Sequence, residues 1–293
     1  MRITESMVTR TLIDNINTNR SEMHEQQNDI STGKKIEQAS DGPVRFSRAN
    51  RFKSQIQKNR EYLETISGAK GWINTTLSSL EQMSSKIVNA KDMAIQGADA
   101  SYSKEQRENM AEQVDDLIKD MVASANATYN GKNLFAGTKT MIDSPFNYNG
   151  NSITYNGNAS NINRRIAENY NVGINVRGTN LTESGVFDSM IDLKKGLKNN
   201  NVDEIKNSIK SLENAANNIS NISASMGSLL KQVRNTENRI ESANINLEGH
   251  LSDTQDTDMA KAIIDYTSEE RAYKAALQTT SDIINLNLLN HLR

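Results

Sequence analysis

The chain has 293 residues, 35% of them hydrophobic and only 5% aromatic, with 34 Lys+Arg against 36 Asp+Glu. So thin an apolar supply disfavours a compact globular enzyme and points to an elongated shape with a narrow core. The balanced charge leaves no basic field to neutralise phosphates, and the lack of cysteine removes disulfides, thiolate metal sites and thiol nucleophiles together.

Taken from the start, Met1-Arg2-Ile3-Thr4-Glu5-Ser6 leads into no continuous apolar stretch, so no ordinary secretory signal peptide is expected. No run approaches the ~18–20 apolar residues of a membrane span. Those criteria alone would make the protein cytosolic. Two prolines in the whole chain leave very long helices open. A first, weak helical stripe runs through Ile16, Asn19, Met23, Gln26 and Ile30.

From Thr65 to Ile95 the apolar positions Ile66, Ile73, Leu77, Leu80, Ile87 and Ala94 fall on steps of three, four or seven and predict a helix. Trp72 lies in it, preceded by Gly68 and Gly71, each costing a helix about 1 kcal/mol. These glycines either admit a close neighbour or accommodate packing. Gly97-Ala98-Asp99-Ala100 reads as a turn. Ser103 with Gln106 three residues later is a capping-box pattern that opens a second helix, striped by Met110, Val114, Leu117 and Met121. The pair predicts an antiparallel helical hairpin.

Residues 138–186 change character. Asn147-Tyr148-Asn149-Gly150-Asn151 is echoed by Thr154-Tyr155-Asn156-Gly157-Asn158, and Asn-Gly is the preferred pair for a two-residue hairpin turn. Ser152–Tyr155 and Gly173–Val176 fit strands. A small β-rich domain inserted between helices is expected here.

The strongest periodicity runs from Ile205 to Leu251, where fourteen positions step alternately by four and three. Eleven are apolar; Ser223, Glu237 and Asn244 are the polar gaps. Such a heptad indicates coiled-coil-like packing, with Asp203 as the expected N-cap. The polar run from Ser252 to Asp258 breaks the frame. A new stripe follows through Met259, Ile263, Tyr266, Glu270, Tyr273, Leu277, Thr280 and Ile284. The terminal stripes have no cover nearby in sequence. They could cover one another, but assembly with other copies accounts for them more simply than a compact core or a membrane does.

Chemistry was sought along the chain. His24, His250 and His291 have no second ligand at helical spacing, and Asp253, Asp256 and Asp258 lack the glycine and distal glutamate of an EF-hand. Asp115-Asp116 and Glu269-Glu270 read as solvated helix faces. No phosphate loop or nucleophile elbow occurs. The sequons at Asn74, Asn126 and Asn180 are what an Asn-rich chain offers by chance. No catalysis and no cofactor or metal are expected.

Three segments carry a family resemblance. The first is Ile30-Ser31-Thr32-Gly33-Lys34-Lys35-Ile36, followed by Ser40-Asp41-Gly42-Pro43. The second is Ala125-Asn126, Tyr129-Asn130-Gly131 and Leu134-Phe135-Ala136-Gly137. The third is Leu286-Asn287-Leu288-Leu289-Asn290-His291-Leu292. Together these resemble the signatures shared by flagellins and flagellar hook-associated proteins. The resemblance covers both helical ends and is weakest at 138–186. The opening Met1-Arg2-Ile3-Thr4, the Ser40–Pro43 run and Leu134–Gly137 lean toward the branch that joins hook to filament. The final Leu292-Arg293 is similar to some filament flagellins and keeps a short flagellin as the alternative. A cytosolic coiled-coil adaptor is the remote one, needing only the heptads.

The resemblance implies a mainly α fold: an elongated, coiled-coil-like helical bundle built from the N- and C-terminal segments, with a small inserted β-rich domain. Residues 1–40 and 250–293 would be terminal helices forming an inner tube. Residues 41–137 and 187–249 would form a helical rod, and 138–186 would project outward. The implied subunit-assembly interface is Ile3, Leu12, Ile16, Met23, Ile30, Met259, Ile263, Tyr266, Tyr273, Leu277, Ile284, Leu288, Leu289 and Leu292. An export chaperone would hold Ile263, Tyr266, Tyr273, Leu277 and Ile284. The implied partners are copies of the chain, the first hook-associated protein on the hook side, flagellin on the filament side, and that cytoplasmic chaperone. The implied destination is the extracellular flagellum, reached through the type III export apparatus without a cleaved signal.

Overall fold

The computed structural model describes the backbone of residues 5–291 and the side chains of residues 7–283. Helix α1 (Glu5–Thr32) is followed by a 3-10 turn (Ala39–Asp41), α2 (Pro43–Gly97) and α3 (Lys104–Ala125). Three antiparallel strand pairs come next: β1 (Thr128–Tyr129) with β2 (Lys132–Asn133), β3 (Phe146–Tyr148) with β4 (Ile153–Tyr155), and β5 (Asn163–Ala167) with β6 (Tyr170–Gly173). Helices α4 (Gly178–Glu183), α5 (Val186–Lys198), α6 (Val202–Gln255) and α7 (Met259–His291) complete the chain. The fold is mainly α with a small inserted group of short strand pairs. The chain divides into two compact units, residues 1–57 with 243–293, and residues 58–242.

The larger unit holds the hydrophobic core. In α2, Ile66, Ile73, Leu80, Ile87 and Ala94 recur every seven residues and are all 0% exposed. In α6, Ile205, Leu212, Ile219, Met226, Val233 and Ile240 repeat the same step and are buried. The polar gap at Glu237 has a physical reason: its carboxylate accepts from Lys70 Nζ on α2 at 2.7 Å. Ser223 has no such account. The strands are not a layer apart, because Phe146, Ile166, Val172 and Ile174 lie in the same core as the helices. Phe146 packs against Phe187 of α5 at 5.2 Å between ring centroids. The Asn126 side chain donates to the Phe146 carbonyl and accepts from its N–H, standing in for a strand partner.

Turn chemistry fixes the connections. The capping box is present: Ser103 Oγ accepts from the Gln106 N–H, and Gln106 Oε1 accepts from the Ser103 N–H. Behind it, the buried Arg107 guanidinium closes the α2–α3 turn. It donates to the carbonyls of Gly97 and Asp99 and to Asn200 Oδ1, at 2.7, 2.7 and 2.6 Å. The two-residue Asn-Gly hairpin occurs at Asn130-Gly131, both at positive φ (50° and 73°).

The Asn-Gly echo in the insert is different. Tyr148 pairs with Ile153, so Asn149-Gly150 lies in a four-residue connection, where Asn149 Oδ1 accepts from the N–H groups of Asn151 and Ser152. Asn156-Gly157 is not a hairpin turn at all; it leaves β4, with the Asn156 N–H bonded to the Pro145 carbonyl. The expected Gly173–Val176 strand ends at Gly173 in β6. The cap of α6 also differs from expectation. Asn201 Oδ1 accepts from the N–H groups of Asp203 and Glu204, so Asn201 is the cap and Asp203 sits in the first turn.

Asp115 corrects another expectation. Its side chain is 13% exposed, not solvated, whereas its neighbour Asp116 is 77% exposed. Asp115 accepts from Lys194 Nζ (2.6 Å), the Tyr148 hydroxyl (2.5 Å) and Lys119 Nζ (2.9 Å). Burial alone would raise its pKa, but these hydrogen bonds and charges outweigh burial and hold it well below the ordinary carboxylate range.

Two outcomes follow for the larger unit. Asp115→Asn should destabilise it by about 1–3 kcal/mol, because the Lys194 ammonium loses its anion. With the carboxylate pKa depressed in the folded state, Asp115 contributes fully above the ordinary value near 3.8 and loses that contribution as pH falls below it. The gap between the urea midpoints of wild type and variant should therefore be narrower at pH 3 than at pH 7 without closing. Separately, a Cβ at Gly71 would collide with the Tyr129 hydroxyl. Gly71→Ala should lower stability by about 1–3 kcal/mol despite alanine's better helix propensity, again read from the urea midpoint.

Candidate functional site

The smaller unit brings the two ends of the sequence together. Helix α1 stops because Gly33 takes φ +69° and returns its N–H to the Asp29 carbonyl at 2.9 Å, a left-handed termination that suits glycine. Thr32 Oγ1 accepts from the Lys34 N–H just after it. The next residues form a short clasp with the break between α6 and α7. The N–H groups of Lys35 and Ile36 donate to the Gln255 carbonyl at 2.8 and 3.2 Å, and Thr257 N–H donates to the Gly33 carbonyl at 3.0 Å. The Gln255 amide donates to the Ile36 carbonyl at 2.9 Å. Gln255 and Ile36 are each only 3% exposed.

The flanks of the clasp are fastened locally. Asp41 Oδ2 accepts from the N–H groups of Glu37 and Gln38, both at 2.9 Å, and those bonds pull its pKa below the usual carboxylate value. Ser40 Oγ donates to the same carboxylate. Pro43 is the first residue of α2, where its missing N–H costs nothing. Asp258 Oδ1 accepts from the N–H groups of Ala260 and Lys261 and so caps α7. Phe52 and His250 stack at 5.9 Å. Asp29 is buried, and burial, together with Glu25, raises its carboxyl pKa.

Helices α1 and α7 pack against each other within one chain. On α1 the half-covered residues are Thr9, Leu12, Ile16, Asn19, Met23, Gln26 and Ile30, a single stripe on steps of three and four. On α7 the covered face comprises Ala262, Tyr266, Glu269, Tyr273, Ala276, Thr280 and Ile283. The terminal stripes therefore cover one another in part. Met259 (42% exposed), Ile263 (49%) and Leu277 (44%) lie along one flank of that face and remain open, as does Ile264 on the far side. Met7, Val8 and Ile13 on α1 are exposed as well. The apolar surface of the pair is wider than one helix can cover.

Of the residues implicated by resemblance, Ile3 and Leu292 lie outside the described residues, as do the side chains of Ile284, Leu288 and Leu289. Ser31 is exposed at the end of α1. In the larger unit, Asn130 and Gly131 form the β1–β2 turn, and Leu134 and Phe135 are 0% exposed. Gly137 sits at φ +65°, where a Cβ would collide with Asn158. Sequence reasoning missed Gln255 and the covered face through Ala262 and Ala276. Gln255 sits in a polar run that reads as a mere break, and alanine carries too little apolar weight to mark a stripe.

Residues 3–140 match the bacterial flagellin N-terminal helical region, and residues 209–292 match the bacterial flagellin C-terminal helical region. Together these cover well over half of the chain. Flagellar hook-associated protein 3 of Escherichia coli is 22% identical, aligned across 98% of each chain. The flagellar filament 30.7 kDa core protein of Treponema maltophilum is 25% identical over 82% of this chain and 81% of its own. A putative flagellar hook-associated protein from Vibrio parahaemolyticus has a similar fold, with a TM-score of 0.68 at 17% identity. It covers 74% of this chain and 100% of that one.

Removing the Gln255 side chain tests the clasp. Gln255→Ala strands the buried Ile36 carbonyl and should cost about 1–3 kcal/mol. Amide exchange should accelerate at Lys35, Ile36 and Thr257, while residues 58–242 keep their protection.

Proposed function

The chain belongs to the bacterial flagellin family, and we propose that it is the structural subunit that joins the flagellar hook to the filament. The observation that carries this reading is the match to hook-associated protein 3 across 98% of each chain. The chain is read as a building block and not as a catalyst.

Its mechanism is polymerisation. The α1–α7 pair satisfies part of its apolar surface internally and presents the rest, through Met259, Ile263 and Leu277 on α7 and Met7, Val8 and Ile13 on α1. Each such side chain is already part-covered, so completing its burial contributes about 1 kcal/mol. A handful of them per subunit is enough to drive ordered association in a lattice where every copy repeats the contact. The neighbours are further copies of the chain, the first hook-associated protein on the hook side and flagellin on the filament side. Leu12, Ile16, Met23, Ile30, Tyr266 and Tyr273 hold the pair together and set the spacing of the open residues.

Before assembly the open flank of α7 needs cover. An export chaperone that grips Ile263, Tyr266, Tyr273, Leu277 and Ile284 would supply it, and export through the flagellar type III apparatus would follow. The absence of cysteine suits a chain that must cross a narrow channel unfolded. A short filament flagellin is the second reading, favoured by the 25% identity to the Treponema filament protein. The two differ in growth: purified flagellin lengthens into filaments on seeds, whereas a junction subunit adds a limited collar and stops.

Ile263 and Leu277 are exposed before assembly, so Ile263→Lys with Leu277→Lys should leave monomer helicity and melting temperature unchanged. The same pair should abolish attachment of filaments to hooks, scored by electron microscopy of a complemented null strain. Filaments attached at wild-type frequency would overturn the mechanism.

A further inference from the structure

Two adjoining clefts in the larger unit, each about 300 Å³, share Trp72, Lys132 and Arg164. Three features meet there. Trp72 is 4% exposed, and its buried indole N–H has no hydrogen-bond partner. Lys132 and Arg164, both solvent-exposed, stand beside a lining of threonine, asparagine and apolar residues that contains no carboxylate. Among the described residues neither cationic side chain has an ion-pair or hydrogen-bond partner. Finally, Gly68 lines the first cleft in mid-helix, at a cost of about 1 kcal/mol relative to alanine. A Cβ there would meet nothing within 4 Å. Gly71 is required by the Tyr129 hydroxyl; Gly68 answers to no packing need of the chain and only keeps the cleft open.

Two exposed cations with no protein anion, beside a buried unpaired donor and a vacant entrance, suit an anionic group. We propose that the Trp72 cleft binds a carboxylate, and that in the assembled flagellum an acidic side chain of an adjoining subunit fills it. The second half rests on the assembly reading above. The carboxylate enters past Gly68 and lies between the Lys132 ammonium and the Arg164 guanidinium, whose fork accommodates two carboxylate oxygens at once. A second copy of this chain can supply such a group from its 36 Asp+Glu.

Trp72 is the only tryptophan, so its indole resonance reports on the cleft alone. The full chain is titrated with sodium acetate, and with sodium chloride at matched ionic strength, while the indole 1H–15N signal is followed. Acetate should give a saturable shift that chloride does not. Arg164→Gln should weaken binding at least ten-fold. Gly68→Leu should abolish the shift without lowering the melting temperature, and Gly68→Ala should raise that temperature. An acetate response equal to that of chloride, or one untouched by Arg164→Gln, overturns the site. Indole-labelled chain assembled onto hooks without acetate then decides the source. A signal at the acetate-bound position supports the subunit carboxylate, and a signal at the free position overturns it. Failure to assemble at all would sink the assembly reading and the subunit half together, while the acetate titration still decides the chemistry of the cleft.

Discussion

The smaller unit depends on one exchange of hydrogen bonds between segments 219 residues apart, Ile36 and Gln255. One segment is the irregular tail after α1, and the other is the last residue of α6 with the gap before α7. Each has backbone groups that a helix end leaves unpaired, and each supplies what the other lacks. Because Gln255 and Ile36 are buried, those bonds exclude water, and an unpaired partner there would be costly. Helices α1 and α7 leave the clasp already side by side. Their pairing is then a continuation of contacts fixed at one end, which spares two marginal helices most of the cost of finding each other.

Much of this was legible in the sequence, and the reasons differ by element. The seven-residue recurrence of large apolar residues in α2 and α6 is a strong signal because burial on one face dominates helix energetics. The Ser103 and Gln106 box was readable because its geometry is local. The Asn-Gly pairs misled because the same dipeptide serves several turns. At Asn130 both strands are short and the turn is tight, whereas at Asn149 the side chain captures two backbone N–H groups and opens a longer loop. The Asp115 network lay beyond reach: its partners come from positions 33 and 79 residues away, and adjacent carboxylates on a helix carry no sign of which will be buried. The apolar residues of α1 and α7 were readable as stripes, but not the division between those used inside the chain and those left over.

That division gives the terminal pair its character. A helix whose apolar arc matches its partner closes a monomer, whereas one with a surplus flank remains receptive. Tyr266 and Tyr273 lie toward α1, while Met259, Ile263 and Leu277 lie beside that face and stay open. Under the proposed assembly, the pair is ordered enough to present a surface and leaves apolar side chains for neighbours to cover. The larger unit contrasts with it, since its stripes are consumed by its own core and its interhelical contacts are reinforced by pairs such as Lys70 with Glu237.

The clasp also has a temporal consequence. A ribosome delivers residues 243–293 after residues 1–242, so Ile36 waits for Gln255, 219 residues behind it. Residues 58–242 have their core partners earlier and within shorter loops, whereas the smaller unit must close a loop of more than two hundred residues. Its closure thus waits on the arrival of both segments. During that interval residues 243–293 lie open to whatever meets them before they close on Ile36.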